Sequence, residues 1–155
     1  MKRGLKIYLG ADHAGFALKE KLKEFLSKKD IYFEDLGSYD FNSKDDYPDF
    51  AFKVAKKIVG HKRSRGILIC GTGTGMVIVA NKIKGVRAAV GYDSYSVKMG
   101  RHDNDTNMLC LRGRKFSDSE NLEFVKLFLS ENFSRLKRHK RRIAKISNIE
   151  RQKYR

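Results

Sequence analysis

Residues 66–82 read GILICGTGTGMVIVANK, and this stretch decides the fold class. Ile67 to Cys70 form a continuous apolar run, which is typical of a strand buried on both faces. Glycines follow at alternate positions, and apolar residues then continue as a helix toward Asn81. A strand, a glycine loop and a helix start form a nest of free backbone N–H groups that favours anionic oxygen. The Cys70 thiol beside this loop is either a candidate base or nucleophile, or a small buried apolar residue.

The glycine loop alone does not identify a function. Its sequence GTGTG has no Gly-Lys-Ser/Thr ending and lacks the spacing of a dinucleotide-binding fingerprint. The rest of the chain therefore has to decide between the two interpretations of Cys70.

Apolar runs and helical periodicity alternate along the whole chain, which favours a parallel sheet with helical crossovers. The predicted strands are 5–9, 31–33, 67–70, 87–91 and 108–111. The predicted helices are 16–28, 49–59, 76–80, 94–100, 118–131 and 139–149, the second capped by Asp49. We expect one domain over residues 1–155, a three-layer α/β/α sandwich with about five parallel strands, Rossmann-like.

In such a sheet, ligands bind outside the carboxyl ends of the strands. Asp12 and His13 follow the first predicted strand, Cys70 ends the third, and Arg114 follows the fifth. The polar segment 101–107 precedes the fifth strand, so we expect a loop at the opposite edge of the sheet. That placement suggests that a partner subunit brings this segment to the site.

The net charge of +16 comes from 34 basic and 18 acidic residues, and suits either nucleic acid or phosphorylated small molecules as ligands. Residues 134–155 hold ten Lys or Arg and one acid, which is equally consistent with a solvated basic helix. No apolar run approaches membrane-spanning length. Cys70 and Cys110 both lie in strand-like runs, which indicates reduced thiols and a cytoplasmic protein.

Several motifs occur together in one order: GADHAGF at 10–16, DYPD at 46–49, residues 66–82, NDTN at 104–107, and RHKRRI at 138–143. This set resembles the type B ribose-5-phosphate isomerases and their galactose- and allose-6-phosphate isomerase relatives. The resemblance spans nearly the whole chain. It implies interconversion of ribose 5-phosphate and ribulose 5-phosphate through a cis-enediolate, with no metal or other cofactor.

The resemblance implies a role for each matching residue. Cys70 is the expected base, and Thr72 is expected to relay or orient a proton. The GTGTG amides would lower the thiol pKa and stabilise the enediolate oxygen. The expected substrate-binding residues are Asp12, His13, Tyr47, Gly71, Thr72, Gly73, Thr74, Gly75 and Asn104. Asp12 and His13 could instead be a helix cap and a surface histidine.

Phosphate binding is assigned by the same resemblance to Arg114, Arg138 and Arg142, with His139 beside them. Arginine suits this role because its planar fork holds two oxygens at once. Arg138 and Arg142 are four residues apart and share a helical face. In the family this tail reaches a partner, so a basic helix at about 138–155 is expected on a homodimer or tetramer with shared sites.

The sequence departs from the family at the residue for ring opening. The family has a histidine directly before the Asn-x-x-Asn segment, whereas here Asp103 precedes Asn104 and a histidine stands at 102. We expect Asp103 to take the site if burial raises its pKa. A shifted loop that presents His102, or a site without ring-opening help, is the alternative.

Two other functions remain open from the sequence. One is isomerisation of a six-carbon sugar phosphate, such as allose or galactose 6-phosphate. The other is a nucleic-acid-binding relative without activity, which the basic tail suggests and the complete set of site residues argues against.

Overall fold

The computed structural model describes residues 4–61 and 63–152. Its strands are β1 (Lys6–Ala11), β2 (Phe33–Asp35), β3 (Ser64–Cys70), β4 (Ala88–Val90) and β5 (Met108–Arg112). Its helices are α1 (Phe16–Ser27), α2 (Tyr47–Gly60), α3 (Thr74–Ala80), α4 (Ser94–Asn104), α5 (Asp118–Ser130) and α6 (Lys137–Ile149).

The strands form one parallel sheet in the order β2-β1-β3-β5-β4. Leu9 on β1 pairs with Ile67 on β3, and Cys70 at the end of β3 pairs with Arg112 at the end of β5. The chain places β2 on one side of β1 and β3 on the other side. This switch point leaves a crevice at the carboxyl ends of β1 and β3. The predicted parallel α/β sandwich of five strands is confirmed.

Alternate residues of β3 supply two separate cores. Ile67 and Ile69 pack with residues of α1 and α5 on one face of the sheet. Leu68 and Cys70 pack with residues of α2 and α3 on the other face. All four side chains are at most 4% exposed, as the continuous apolar run predicted for a strand covered on both faces.

The prediction of a polar loop at 101–107 is wrong in its first half, because α4 continues to Asn104. Asp105, the residue directly after the helix, adopts a left-handed conformation with φ of 48°. The Thr106 N–H then bonds to the Gly100 carbonyl, which closes the helix end. Short polar side chains predicted a loop here, but the helical conformation persists up to the left-handed residue.

The start of α2 also differs from its prediction, because the helix begins at Tyr47 and Asp49 is not its cap. Asp46 is the extended residue before the helix, and Pro48 lies in the first turn, where a missing N–H costs nothing. Asp49 instead lies in the first turn and faces the positive end of the helix dipole.

The basic C-terminal segment forms α6, which packs against α4. Residues 153–155 of the predicted C-terminal helix lie outside the described residues. In the ranges 4–61 and 63–152, no helix combines the length and the apolar character needed to cross a bilayer.

Candidate active site

Cys70 lies at the carboxyl end of β3, directly beside the crevice between β1 and β3. Its Sγ accepts a hydrogen bond from the Gly73 backbone N–H at 3.1 Å, and the residue is 4% exposed. A backbone N–H donor stabilises sulfur in its thiolate form, and the thiolate is the reactive form of cysteine. The thiol is free, so it is available as a base or nucleophile.

Glycine is required at two positions of the loop. Gly73 has φ of 77°, and a Cβ there would come within 3.2 Å of the Leu111 carbonyl oxygen. A Cβ at Gly75 would lie 2.7 Å from the Tyr47 ring. The missing side chains therefore let the loop fold against β5 and let the Tyr47 ring lie against the start of α3.

Asp12 follows β1, and its backbone N–H bonds to the Ile69 carbonyl next to Cys70. Its side chain is buried and accepts a hydrogen bond from the Gly15 N–H at 3.1 Å. Burial raises the pKa of this carboxyl, although the Gly15 bond partly opposes that effect. Asp12 therefore lies in the same crevice as the Cys70 thiol on the neighbouring strand. Their positions at the carboxyl ends of the first and third strands predicted this.

His13 is held by a residue that the sequence analysis missed. Asp45 accepts from the His13 backbone N–H at 3.1 Å and lies 2.6 Å from the imidazole Nδ1. The other carboxylate oxygen of Asp45 is buried without a hydrogen-bond partner among the described residues. This contact joins residues 32 positions apart. The only sequence signal for it is the pair of aspartates, Asp45 and Asp46, directly before Tyr47.

Arg114 approaches the glycine loop from the end of β5. Its backbone N–H bonds to the Gly71 carbonyl, and its guanidinium lies beside Gly71. A cavity of about 530 Å³ opens here. Its walls are Gly71, Thr72, Thr74, Val90, Tyr92, Arg112, Arg114 and Lys115. Loop hydroxyls, backbone amides and cations thus face one space that is suited to a phosphorylated ligand.

A second cluster forms where α4 ends against α6. Asp103 Oδ1 lies 2.7 Å from Nδ1 of His102 and 3.5 Å from Nδ1 of His139. His139 is 1% exposed, and its ring is edge-on to that of His102. Ser134 Oγ lies 2.6 Å from Nδ1 of His139, while Arg138 Nε donates to its Nε2 at 2.9 Å. The cluster therefore holds His139 in one tautomer and orientation.

Ring opening by Asp103 would require a buried carboxyl, and Asp103 is not buried. Its side chain is 39% exposed, and the hydrogen bond with His102 lowers its pKa, with further lowering by His139 and Arg138. A carboxyl with a lowered pKa is ionised near neutrality and cannot donate a proton there. With Asp103 ionised, Nδ1 of His102 carries the shared hydrogen, and Nε2 is left for proton exchange.

The ligand atoms of His102, Asp103 and His139 lie within 4.8 Å of one another, close enough to hold a metal ion. The Arg138 guanidinium already donates to His139 Nε2, so a fixed positive charge borders the cluster. That charge disfavours a second cation at the same place. The network suits an anion or a proton donor better than a metal.

The two remaining predicted ligands are exposed near this cluster. Asn104 ends α4, and Arg142 lies one helical turn after Arg138 on α6. His102, Asp103, Asn104, Arg138, His139 and Arg142 thus form one group, which we call the α4–α6 cluster. It presents cations and imidazoles to the surface.

The structure does not bring the α4–α6 cluster to Cys70 within one chain. Asn107 leads from α4 into β5 at the amino edge of the sheet, where its carbonyl accepts from Gly66. Cys70 lies at the other end, paired with Arg112. The intervening length of β5 separates the two edges by roughly 13 Å or more. The predicted site residues therefore form two groups at opposite edges.

A family model described as Ribose/Galactose Isomerase matches residues 7–146. The chain is 44% identical over 147 residues to a protein named "Probable ribose-5-phosphate isomerase B" from Mycoplasma genitalium, and this match covers 94% of the chain and 96% of that protein. It is 34% identical over 148 residues to the ribose-5-phosphate isomerase B of Mycobacterium tuberculosis, covering 96% and 91% respectively.

Solved structures show the same fold at similar identity. A crystal structure of ribose-5-phosphate isomerase B from Mycoplasma genitalium with bound ribulose-5-phosphate superposes with a TM-score of 0.93 at 42% identity. It covers 98% of this chain and 100% of that one. A ribose 5-phosphate isomerase from Thermotoga maritima gives a TM-score of 0.89 at 42% identity, over 94% and 99% of the chains.

Proposed function

The chain belongs to the ribose/galactose isomerase family, and from that membership we propose that it interconverts ribose 5-phosphate and ribulose 5-phosphate. The observation that carries the proposal is the free thiol of Cys70, hydrogen-bonded to the Gly73 N–H beside Asp12. An aldose and its ketose differ in the placement of one carbon-bound proton. A single base at the strand end can therefore serve both directions.

The Cys70 thiolate removes the proton from C2 of the open-chain aldose and returns it to C1. The electron pair of the broken C–H bond forms the C1–C2 double bond of a cis-enediolate, and the carbonyl oxygen becomes anionic. Thr72, exposed on the loop, exchanges a proton between the two oxygens. Free backbone N–H groups of the glycine loop stabilise the negative oxygen as it develops.

Sugar hydroxyls are recognised around this centre by Asp12, His13 and Tyr47. Asp45 fixes the orientation of the His13 ring through the 2.6 Å contact to Nδ1. The ring and the buried carboxylate then act as one unit, so His13 offers Nε2 in a defined position. Proton transfer by these groups requires no metal, and a chelator should leave turnover unchanged.

Ring opening is performed in this account by His102, with Asp103 as its orienting carboxylate. The lowered pKa of Asp103 keeps it ionised, so it accepts the Nδ1 hydrogen of His102. Nε2 can then move a proton between the ring oxygen and the anomeric hydroxyl. The carboxylate thus supports the acid instead of replacing it.

The phosphate is held by Arg114, Arg138 and Arg142, with His139 orienting Arg138 through the 2.9 Å bond. Because the α4–α6 cluster and Cys70 lie at opposite sheet edges of one chain, we propose that each site unites two copies. In a symmetric dimer, the cluster of one copy covers the glycine loop of the other. We propose that residues 1–155 act as one catalytic domain, with α6 packed on the partner.

A thiolate base must stay reduced, which favours the cytoplasm as the compartment. The central experiment assays ribose 5-phosphate and allose 6-phosphate side by side with the purified chain. We expect turnover of the five-carbon substrate and a much lower kcat/KM for the six-carbon one. Preference for allose 6-phosphate would overturn the substrate assignment but keep the chemistry.

A pair of neighbouring arginines supplies the matched control for the phosphate assignment. Arg142→Ala removes a proposed phosphate ligand and should raise KM by about 10-fold or more, as expected for a lost charge-assisted hydrogen bond. Arg141→Ala removes the same charge from the same helix and should change KM little. An equal rise in both variants would indicate a general charge effect.

A further inference from the structure

A second charged cavity, of about 580 Å³, lies at the amino edge of the sheet, on the side away from Cys70. Within residues 4–61 and 63–152, five arginines line it, and we call it the arginine cavity. These are Arg63, Arg65, Arg87, Arg101 and Arg135. The proposed isomerase mechanism uses none of them.

Two of these arginines are buried, which is costly for a charged side chain. Arg65 is 4% exposed and donates to the carbonyls of Phe128 and Glu131 at the end of α5. Burial and the charge of Arg101 lower the pKa of Arg65 to about 10. Arg101 is 5% exposed, and its Nε has no hydrogen-bond partner among the described residues. The cavity therefore contains buried positive charge with donor capacity left over.

Internal partners neutralise only part of this charge. Asp105 pairs with Arg87 at 2.9 Å and with Arg101 at 2.8 Å. The Glu131 carboxylate also acts to raise the pKa of Arg101, although burial lowers it overall. The carbonyl ends of α4 and α5 contribute about half a negative charge each. Arg63 and Arg135 are exposed at the rim and form no ion pair within residues 4–61 and 63–152. Among the groups that the structure describes, an excess of roughly two positive charges remains.

The remaining wall of the cavity is suited to an organic group. Leu5 and Ile58 supply apolar surface, and the His61 ring is stacked on Tyr8 with a centroid separation of 5.8 Å. Asn107 and Asn132 add amide groups. A cavity of this size accommodates a small metabolite, whereas a single phosphate ion would leave most of it empty.

We propose that the arginine cavity binds a small organic diphosphate, with the two phosphate groups held by the exposed Arg63 and Arg135 and attracted by the buried charges of Arg65 and Arg101. Two adjacent phosphates match the excess positive charge, and the arginine fork binds each of them through paired oxygens. The organic part lies against Leu5, Ile58 and His61. This site lies at the same edge of the sheet as the α4–α6 cluster, but it uses none of the side chains that we assign to the isomerase reaction.

Inorganic pyrophosphate is the probe, titrated calorimetrically into the purified protein at fixed salt. With excess ribose 5-phosphate present to occupy the isomerase site, we expect saturable binding of about one pyrophosphate per chain, and weaker binding of inorganic phosphate. The double variant Arg63→Gln/Arg135→Gln should weaken pyrophosphate binding about 10-fold or more. Turnover of ribose 5-phosphate should be unchanged in this variant, which shows that it is folded and that its isomerase site is intact.

Two controls distinguish the cavity from other cationic surfaces. Lys29→Gln/Lys98→Gln removes the same charge from exposed positions elsewhere and should leave binding within about twofold. Arg142→Gln should also leave it unchanged. Loss of pyrophosphate binding in Arg142→Gln alone would place the anion at the isomerase site and overturn the proposal. Equal weakening in all variants, or no saturable binding, would also overturn it.

Discussion

Asp103 and His102, adjacent in the last turn of α4, are joined by a 2.7 Å contact between Oδ1 and Nδ1. The contact lowers the pKa of the carboxyl, which makes Asp103 a poor acid and a good support for His102. We therefore propose His102, the alternative from the sequence, in place of the expected Asp103 as the group for ring opening. His102 is the proposed acid, and Asp103 sets its tautomer.

The roles of His102 and Asp103 can be tested by comparing the two directions of the reaction. Ribulose 5-phosphate has no hydroxyl free to close a five-membered ring, so its conversion needs no ring opening. His102→Gln should lower kcat with ribose 5-phosphate by about 10²-fold or more, the usual contribution of a general acid. It should change the rate with ribulose 5-phosphate much less. Asp103→Asn should show the same pattern with a smaller loss, and an effect in Asp103→Asn alone would restore Asp103 as the acid.

Cys70 is expected to be indispensable in both directions. Cys70→Ala removes the base and should lower kcat by about 10³-fold or more with either substrate. The circular dichroism spectrum should be unchanged, because the substitution removes one sulfur atom. Iodoacetamide should inactivate the native protein, and ribose 5-phosphate should protect it. Near-normal turnover in Cys70→Ala would exclude the thiol as the base.

Asp45 gives a prediction about a residue outside the recognised motifs. Asp45→Asn weakens the support of His13 while keeping the shape of the side chain, because a neutral amide is a weaker partner for the imidazole. We expect KM for ribose 5-phosphate to rise several-fold, with kcat changed less. Asp40→Asn, an exposed carboxylate earlier in the same loop, is the control. Unchanged KM would assign Asp45 to structure alone.

The fully buried Lys19 makes folding dependent on Asp35, which lies 2.5 Å from its Nζ. Burial by itself would raise the Asp35 pKa, but the bonds from Lys19, the Gly37 N–H and Lys23 together lower it. Asp35→Asn leaves the buried lysine charge with only the half-exposed Glu20, 3.3 Å away, as its carboxylate partner. The free energy of unfolding should therefore fall by about 3–5 kcal/mol. Glu24→Gln, which removes an exposed pair with Lys28, should cost less than about 1 kcal/mol.

The same lowered pKa predicts how stability depends on pH. The stabilisation from Asp35 is complete above its unfolded pKa of about 3.9 and is lost as the pH falls through the lower folded value. Urea unfolding at pH 6 and near pH 3 should show a steeper acid loss in the native protein than in Asp35→Asn. Parallel curves would mean that the pair does not contribute through ionisation.

The fold could be predicted because its signals are local. The apolar run before Cys70 and the helical spacing after it require only neighbouring residues, and a parallel sheet then places Asp12 beside the thiol. The end of α4 could not be predicted, since it depends on the left-handed conformation of Asp105 and its ion pairs with Arg87 and Arg101.

The candidate site was predictable to a similar degree. Motifs nominated the candidate residues, whose roles stay predictions, and the strand order indicated that Asp103 lies away from Cys70. The partner of His13 escaped prediction, because Asp45 reaches it across 32 residues of chain. Burial of Arg65 and Arg101 in one cavity likewise depends on helix ends that only the fold brings together.

The measurement that tests the account most directly is complementation between two variants that are each impaired at ribose 5-phosphate concentrations well below KM. Cys70→Ala lacks the base, and Arg142→Ala lacks a phosphate ligand that we assign to the other copy. When the two are mixed and allowed to exchange subunits, each mixed dimer contains one site with both native residues. We predict recovery of about a quarter of the native rate of ribulose 5-phosphate formation. No recovery after confirmed subunit exchange would contradict a site built from two copies.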